Sequence, residues 1–366
     1  MSAGAPGTPA AGRQAGARRP EEEGTPPPGT APPASRLDLR LVIAGLALVA
    51  ALGVAAILRG GLLGLPAPPP GTTRESAGLV DLRALTARAD QLEPGALAPG
   101  ADSALALAAE GVSLLRRGES DTGLERLREA LLEAPDDLVI GNAYRMEVFR
   151  MRHAALTDAS GRGALAPRMP AALEGQPIAF LERLASEHPS RETRLQLGLA
   201  WADEILLFGA LEIKAPASVE SVKLFSEILA EDPSYVPALF GRGLNYLHRP
   251  ARLVWPEIEK APPDAASRDF GRCVAIGRKL GGASPRLVGT LAMALGDAYA
   301  REGKPERARS WWQISRNACG DRDLRDAVQR RFGWQDAEMG DRLEAELATR
   351  MLDLDHPMTD LAVMWR

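Results

Sequence analysis

The sequence predicts an all-α chain: about five stacked helix pairs closed by C-terminal capping helices, preceded by one membrane-spanning helix and a disordered tail. Three observations predict it. Two short side-chain signatures recur at helical spacing between residues 101 and 320. An uninterrupted apolar run occupies Leu41–Leu58, and the residues ahead of it are rich in Pro and Gly with nothing to bury.

Composition narrows the classes. Apolar residues make up 45% and charged residues 25% of the 366, ordinary globular values. A net charge of −4 offers no basic excess for holding a nucleic acid. Ala, Leu, Gly, Arg and Pro are plentiful, which suits close helix packing and would also follow from a GC-rich bacterial genome. Two cysteines, Cys273 and Cys319, permit one optional bridge and no disulfide framework.

Residues 1–38 read as a disordered tail, since Gly24–Ser35 repeats helix breakers without apolar side chains to bury. Residues 39–59 then carry LVIAGLALVAALGVAAIL between Arg40 and Arg59. Its eighteen helical residues span roughly 27 Å, close to the hydrocarbon thickness of a bilayer. Inside lipid only a helix satisfies its own backbone, so a spanning helix is favoured over a buried core helix. A cleaved signal peptide fits less well, because the run is long and no small-x-small site follows it. Arg36 and Arg40 balance Arg59 and Arg74 across the span. The more distant Arg13, Arg18 and Arg19 tip the amino terminus toward the cytoplasm and place residues 60–366 in the periplasm of a Gram-negative cell. Residues 60–100 read as a linker lifting the folded part off the bilayer, with a short helix over Leu79–Leu92.

From residue 101 to 350 the pattern is helical. The first signature is a glycine followed three residues later by a large side chain: Gly111/Leu114, Gly198/Trp201, Gly243/Tyr246 and Gly296/Tyr299. The second sets a small residue, a large one four on, and another three further: Gly123/Leu127/Ala130, Ser221/Phe225/Ile228, Ala266/Phe270/Cys273 and Ala308/Trp312/Ser315. Four-then-three spacing puts all three on one helical stripe. The small residue lets a partner helix approach, and the large one fills the gap between neighbouring pairs. Gly111 and Gly296 are each followed seven residues later by a turn glycine, Gly118 and Gly303.

On these residues the chain resembles the tetratricopeptide repeat (TPR) family. Leu295–Gly320 and Glu110–Asp137 carry the resemblance best; it extends over roughly residues 101–320. The pairs fall at about 103–135, 138–188, 192–232, 235–280 and 287–319. Inserts inside the second and fourth pairs should project from one edge of the array. Residues 321–350 read as one or two capping helices, and 351–366 as a C-terminal tail.

Catalytic and metal motifs are missing from the sequence. His153, His188, His248 and His356 never recur at i, i+4, and there is no HExxH, CxxCH, GxxxxGK[ST] or GxSxG. No cofactor and no metal is expected. Cys273 reads as a packing residue on its stripe. Asp353, Asp355, His356 and Asp360 read as a solvated tail in preference to a metal site, because their spacing matches no ligand loop. Trp312 takes the repeat's core position, whereas Trp311 either packs within the array or is exposed.

The resemblance implies a non-enzymatic scaffold whose first helices line a groove for protein or peptide partners. Groove candidates are Asn142, Arg145, Arg194, Arg242 and Asn245. An anchored, outward-facing array resembles periplasmic assembly factors and accessory chaperones. The alternative is a small-molecule-binding accessory component of a transport system, which requires a closed apolar pocket in place of an open groove.

Overall fold

The computed structural model describes residues 65, 68–73, 77–78, 82–161, 176–207, 211–249, 261–281, 283–318, 320–350 and 359–366. The expected spanning helix at 39–59, the tail 1–38 and most of the two inserts lie outside these residues. Among the described residues no helix is long and apolar enough to cross a membrane, and no strand occurs.

Five helix pairs follow one another: α2 (Ser103–Arg116) with α3 (Ser120–Glu133), α4 (Leu138–Gly161) with α5 (Gln176–Glu187), α6 (Arg191–Leu207) with α7 (Leu211–Glu231), α8 (Val236–His248) with α9 (Ala265–Leu280), and α10 (Pro285–Arg301) with α11 (Pro305–Ala318). Helix α1 (Leu82–Asp90) precedes them, and α12 (Arg322–Phe332), α13 (Met339–Arg350) and α14 (Ala362–Trp365) follow. Each first helix packs on the next, α2 on α4, α4 on α6, α6 on α8 and α8 on α10. Each second helix from α3 to α9 packs on the first helix of the following pair. The chain is thus an all-helical array with a continuous layer of first helices. The second pair departs from the rest, because α5 packs mainly on α6.

Local chemistry sets the helix ends. Asp102 accepts from Leu105 N at 2.8 Å to start α2, and Ser284 accepts from Leu287 N at 3.0 Å to start α10. Asp137 accepts from Val139 N and Ile140 N ahead of α4. The turn glycines Gly118 and Gly303 take φ values of 83° and 72°. There the chain reverses with bonds from Glu119 N to Leu114 O and from Lys304 N to Tyr299 O, a closure that needs the left-handed backbone glycine tolerates.

The two signatures meet within each pair. A Cβ on Gly198 would stand 2.8 Å from the Phe225 ring, one on Gly243 2.8 Å from Phe270, and one on Gly296 would overlap the Trp312 indole. In the first pair, Gly111 faces the Gly123 carbonyl and Leu127. The bulky residue therefore fills a recess in its own partner helix. Phe225 is also pressed on a glycine of the next pair, Gly241. The hydroxyls of Ser221 and Ser315 donate to Gly198 O and Gly289 O, tying the helices where they run closest. Trp311 is buried as well, which settles its place within the array.

Two expectations are corrected. Described parts of the linker belong to the array: Ala77, Ala89 and Leu92 join the core, and Val236 N donates to Ala77 O at 3.0 Å. Arg88 of α1 binds both Asp102 and Asp137, the carboxylates that start α2 and α4. The end of the chain is no solvated tail either. Thr359, Leu361, Val363, Met364 and Trp365 are all buried, and α14 packs on α10 and α1. Apolar side chains every one or two residues there find a surface to cover, which outweighs the freedom of a tail.

Substituting Gly198→Leu or Gly296→Leu should overpack these contacts and lower unfolding free energy by about 1–3 kcal/mol, and Phe225→Ala by about 3–5 kcal/mol. Denaturant unfolding followed by circular dichroism checks both. A Gly118→Ala control meets open space but a strained φ, and should lose about 1 kcal/mol.

Candidate functional site

The layer of first helices carries charge where a packed helix would be apolar. On α4, Arg145 is 2% exposed and points its guanidinium at α6. Its Nη1 donates to Asp203 Oδ2 at 2.8 Å and Oδ1 at 3.1 Å, its Nε donates to Gln196 Oε1 at 3.3 Å, and its Nη2 donates to Asn142 Oδ1 at 2.9 Å. Two turns along, Arg152 makes a forked pair with Glu204. Desolvation on this scale is tolerated because the carboxylates meet planar donors. Burial pushes the Asp203 carboxyl above its usual range, while Arg145 and the Thr359 hydroxyl pull it back.

The third side of this network is the C-terminal segment. Arg145 Nη2 donates to Thr359 O, and Thr359 Oγ1 donates to Asp203. Asn142 Nδ2 donates to Asp360 Oδ1 at 2.8 Å, and Leu361 N donates back to Asn142 Oδ1 at 2.9 Å. One carboxamide thus grips a side chain and a backbone amide at once.

Of the five candidates, this site unites Asn142 and Arg145. The other three face elsewhere. Arg194 pairs with Glu231 of α7 in a forked contact. Arg242 forks onto Asp269 of α9 at 2.8 Å on both arms and reaches Ser226 of α7. Asn245 is buried and accepts from Ser218 Oγ at 2.7 Å. These three link second helices to first helices. Asp203, Gln196 and the 359–366 segment escaped sequence reasoning. An Asp-Glu pair inside the apolar run of α6 was the available signal.

A second feature lies at α9–α11: an apolar cavity of about 190 Å³ bordered by Cys273, Leu287, Leu291, Ala292, Trp311 and Ile314. Trp311 Nε1 has no hydrogen-bond partner among the described residues. Cys273 is free, and Cys319 lies outside the described residues. No group of three or more His, Cys, Asp or Glu among the described residues is arranged to hold a metal ion. Of the acidic cluster near the end, Asp360 alone is described, and it is engaged by Asn142.

The capping helices join through charge. Arg331 of α12 forks onto Asp297 of α10 at 2.7 and 2.8 Å and reaches Glu346 of α13, while Trp312 Nε1 donates to Asp297 at 2.8 Å. At the end of α8, neither ring nitrogen of His248 has a hydrogen-bond partner among the described residues. Burial, with Arg301, Arg331 and Lys214 nearby, holds its imidazole down to about 3.

No family model matches the chain, and no curated protein matches it. Among solved structures it is similar to a thermophilic TPR protein of Thermus thermophilus. That chain is 16% identical; the match covers 62% of this chain and 98% of that one, with a TM-score of 0.41.

Removing one partner of the buried pair should cost more than removing both. Arg145→Met is expected to lose about 3–5 kcal/mol, and Arg145→Met with Asp203→Leu clearly less; a double-mutant cycle in urea measures it. His248 is depressed in the folded state, so the unfolded chain binds the extra proton below its ordinary pKa. Stability should therefore fall as pH drops from 6.5 toward 3, with a slope of up to about 1.4 kcal/mol per pH unit from this group. His248→Gln should flatten that slope relative to the wild type.

Proposed function

We propose that the chain is a non-enzymatic, membrane-anchored TPR-like scaffold that holds protein or peptide partners on its layer of first helices. It acts as an assembly factor or accessory chaperone at a bacterial inner membrane, with residues 60–366 in the periplasm. One observation carries the binding part: side chains of α4 and α6 already grip a peptide segment, Thr359–Leu361, through its backbone and side chains together. The anchored part rests on the apolar run Leu41–Leu58 between arginines.

Crosslinking in native membranes followed by detergent solubilisation and co-purification tests the scaffold. A distinct protein should travel with the chain; recovery of the chain alone sinks the reading. Protease added outside permeabilised outer membranes should digest residues 60–366, and protection of that part would reverse the orientation.

A small-molecule role in a transport system is the second reading, favoured by the apolar cavity beside Trp311. A space of about 150 Å³ accommodates benzene, so a benzene-sized ligand fits this partly open pocket. Benzene should raise the thermal midpoint of the wild type and leave Ala292→Leu unmoved; equal response from both removes this reading.

A further inference from the structure

The last eight residues are held at their backbone as well as at their side chains. Array side chains bond the backbone of the segment: Asn142 Oδ1 takes Leu361 N, Arg145 Nη2 gives to Thr359 O, and Thr86 Oγ1 gives to Trp365 O. Side-chain grips on helix carbonyls occur within the array as well, from Ser221 to Gly198 O and from Arg301 to Leu247 O; on this segment a backbone N–H is taken too, and such two-way grips are how a surface holds a short peptide. The remaining contacts are side-chain specific. Asp203 takes the Thr359 hydroxyl, Asn142 takes the Asp360 carboxylate, and Leu361, Val363, Met364 and Trp365 sink into the core. Asp360 Oδ1 also accepts from Ala362 N at 2.9 Å, so the same carboxylate caps the apolar turn that follows.

The occupant is not fully matched to its site. Gln196 is 2% exposed, and Arg145 Nε fixes its amide by donating to the oxygen. Its Nε2 is left without a hydrogen-bond partner among the described residues. Trp365 Nε1 is also buried and unpartnered among them. The Gln196 donor, next to the guanidinium that holds Thr359, leaves room for a better ligand, because an unsatisfied buried donor carries a desolvation penalty that an added acceptor removes; the Trp365 donor departs with the segment.

We propose that Thr359–Arg366 is the resident occupant of a peptide site, and that the face's partner is a protein segment of the same chemistry, which binds by displacing it. That segment presents a hydroxyl that donates to Asp203, then an Asp, then an apolar turn ending in an aromatic residue. The proposal rests on the scaffold reading and names its partner class. Tethering sets the competition. A linked segment acts at an effective concentration of order mM, so a free peptide with a Kd of about 10 μM is weakened about 100-fold by the intact chain.

The experiment uses the full chain in detergent, a full chain ending at residue 358, and a dye-labelled peptide of residues 359–366 read by fluorescence anisotropy. The shortened chain should bind the peptide, and the intact chain should bind it about 100-fold more weakly. Asn142→Ala in the shortened chain should cost ten-fold or more, and an Asp360→Ala peptide the same. A shortened chain that keeps its helical circular dichroism yet ignores the peptide overturns the proposal. If shortening melts the array, Trp365→Ala in the full chain decides: tighter peptide binding than wild type supports displacement, and no gain overturns it. A dimer that shortening dissolves would mean that copies exchange their ends, and would also overturn it. The scaffold reading is scored separately. Partner recovery from membranes that is equal for wild type and Asn142→Ala, with no peptide binding, removes this proposal and leaves that one standing.

Discussion

Everything in this array depends on glycine recesses receiving bulky side chains from the partner helix. Gly198, Gly243 and Gly296 leave hollows that Phe225, Phe270 and Trp312 fill, and in the first pair Gly111 and Gly123 bring backbone onto backbone. The close approach sets the separation of the helices, and that separation sets how neighbouring pairs stack. Ser221 and Ser315 reinforce the contact because a hydroxyl so near a helix can reach its carbonyls. Dense packing of this kind transmits position, since interiors resist small changes of volume. Phe225, wedged between Gly198 and Gly241, passes the register of one pair to the next.

Onto that frame the chain places buried charge with economy. Arg145–Asp203 and Arg152–Glu204 couple α4 to α6, and Arg331–Asp297 fastens the capping helix α12 to α10. Paired charges add little net stability over apolar packing, yet they penalise any other arrangement, because misregistered partners would leave an ion unpaired in low dielectric. They suit the second pair, where α5 packs mainly on α6 and α4 must find its neighbour by other means. At Arg145 the same network extends outward to the C-terminal segment, so register and peptide grip share one guanidinium.

The ends of the chain change what the first-helix layer offers. Residues 77–78 and α1 cover part of it from one end, and α14 lies against both α1 and α10 from the other. Trp365 O receives Thr86 Oγ1, and Arg366 approaches Asp90, so the two ends meet on this face. An open groove lined by first helices is therefore not what the folded chain presents by itself. Asn142 and Arg145 are already engaged by Thr359–Leu361.

Helix pairing was legible in the sequence because its causes are local. A small residue and a bulky one at four-then-three spacing can serve only one helical stripe, a cap such as Ser284 acts within one turn, and Gly118 or Gly303 reverses the chain where it stands. The first-helix identity of Asn142, Arg145, Arg194, Arg242 and Asn245 followed from the same periodicity. Which way each side chain faces did not, because Glu231 and Asp269 claim two of them from the paired helix and Ser218 claims a third from the preceding pair. The placement of Thr359–Arg366 was equally out of reach. Its bonds span more than two hundred residues to Asn142 and Arg145, and no spacing encodes a contact that exists only once five pairs have assembled into a surface. The sequence by itself determined the helices and their pairing, through contacts within a few turns. Tertiary structure alone decided which side chains of the first-helix layer meet Thr359–Arg366, since burial there is settled by the whole array at once.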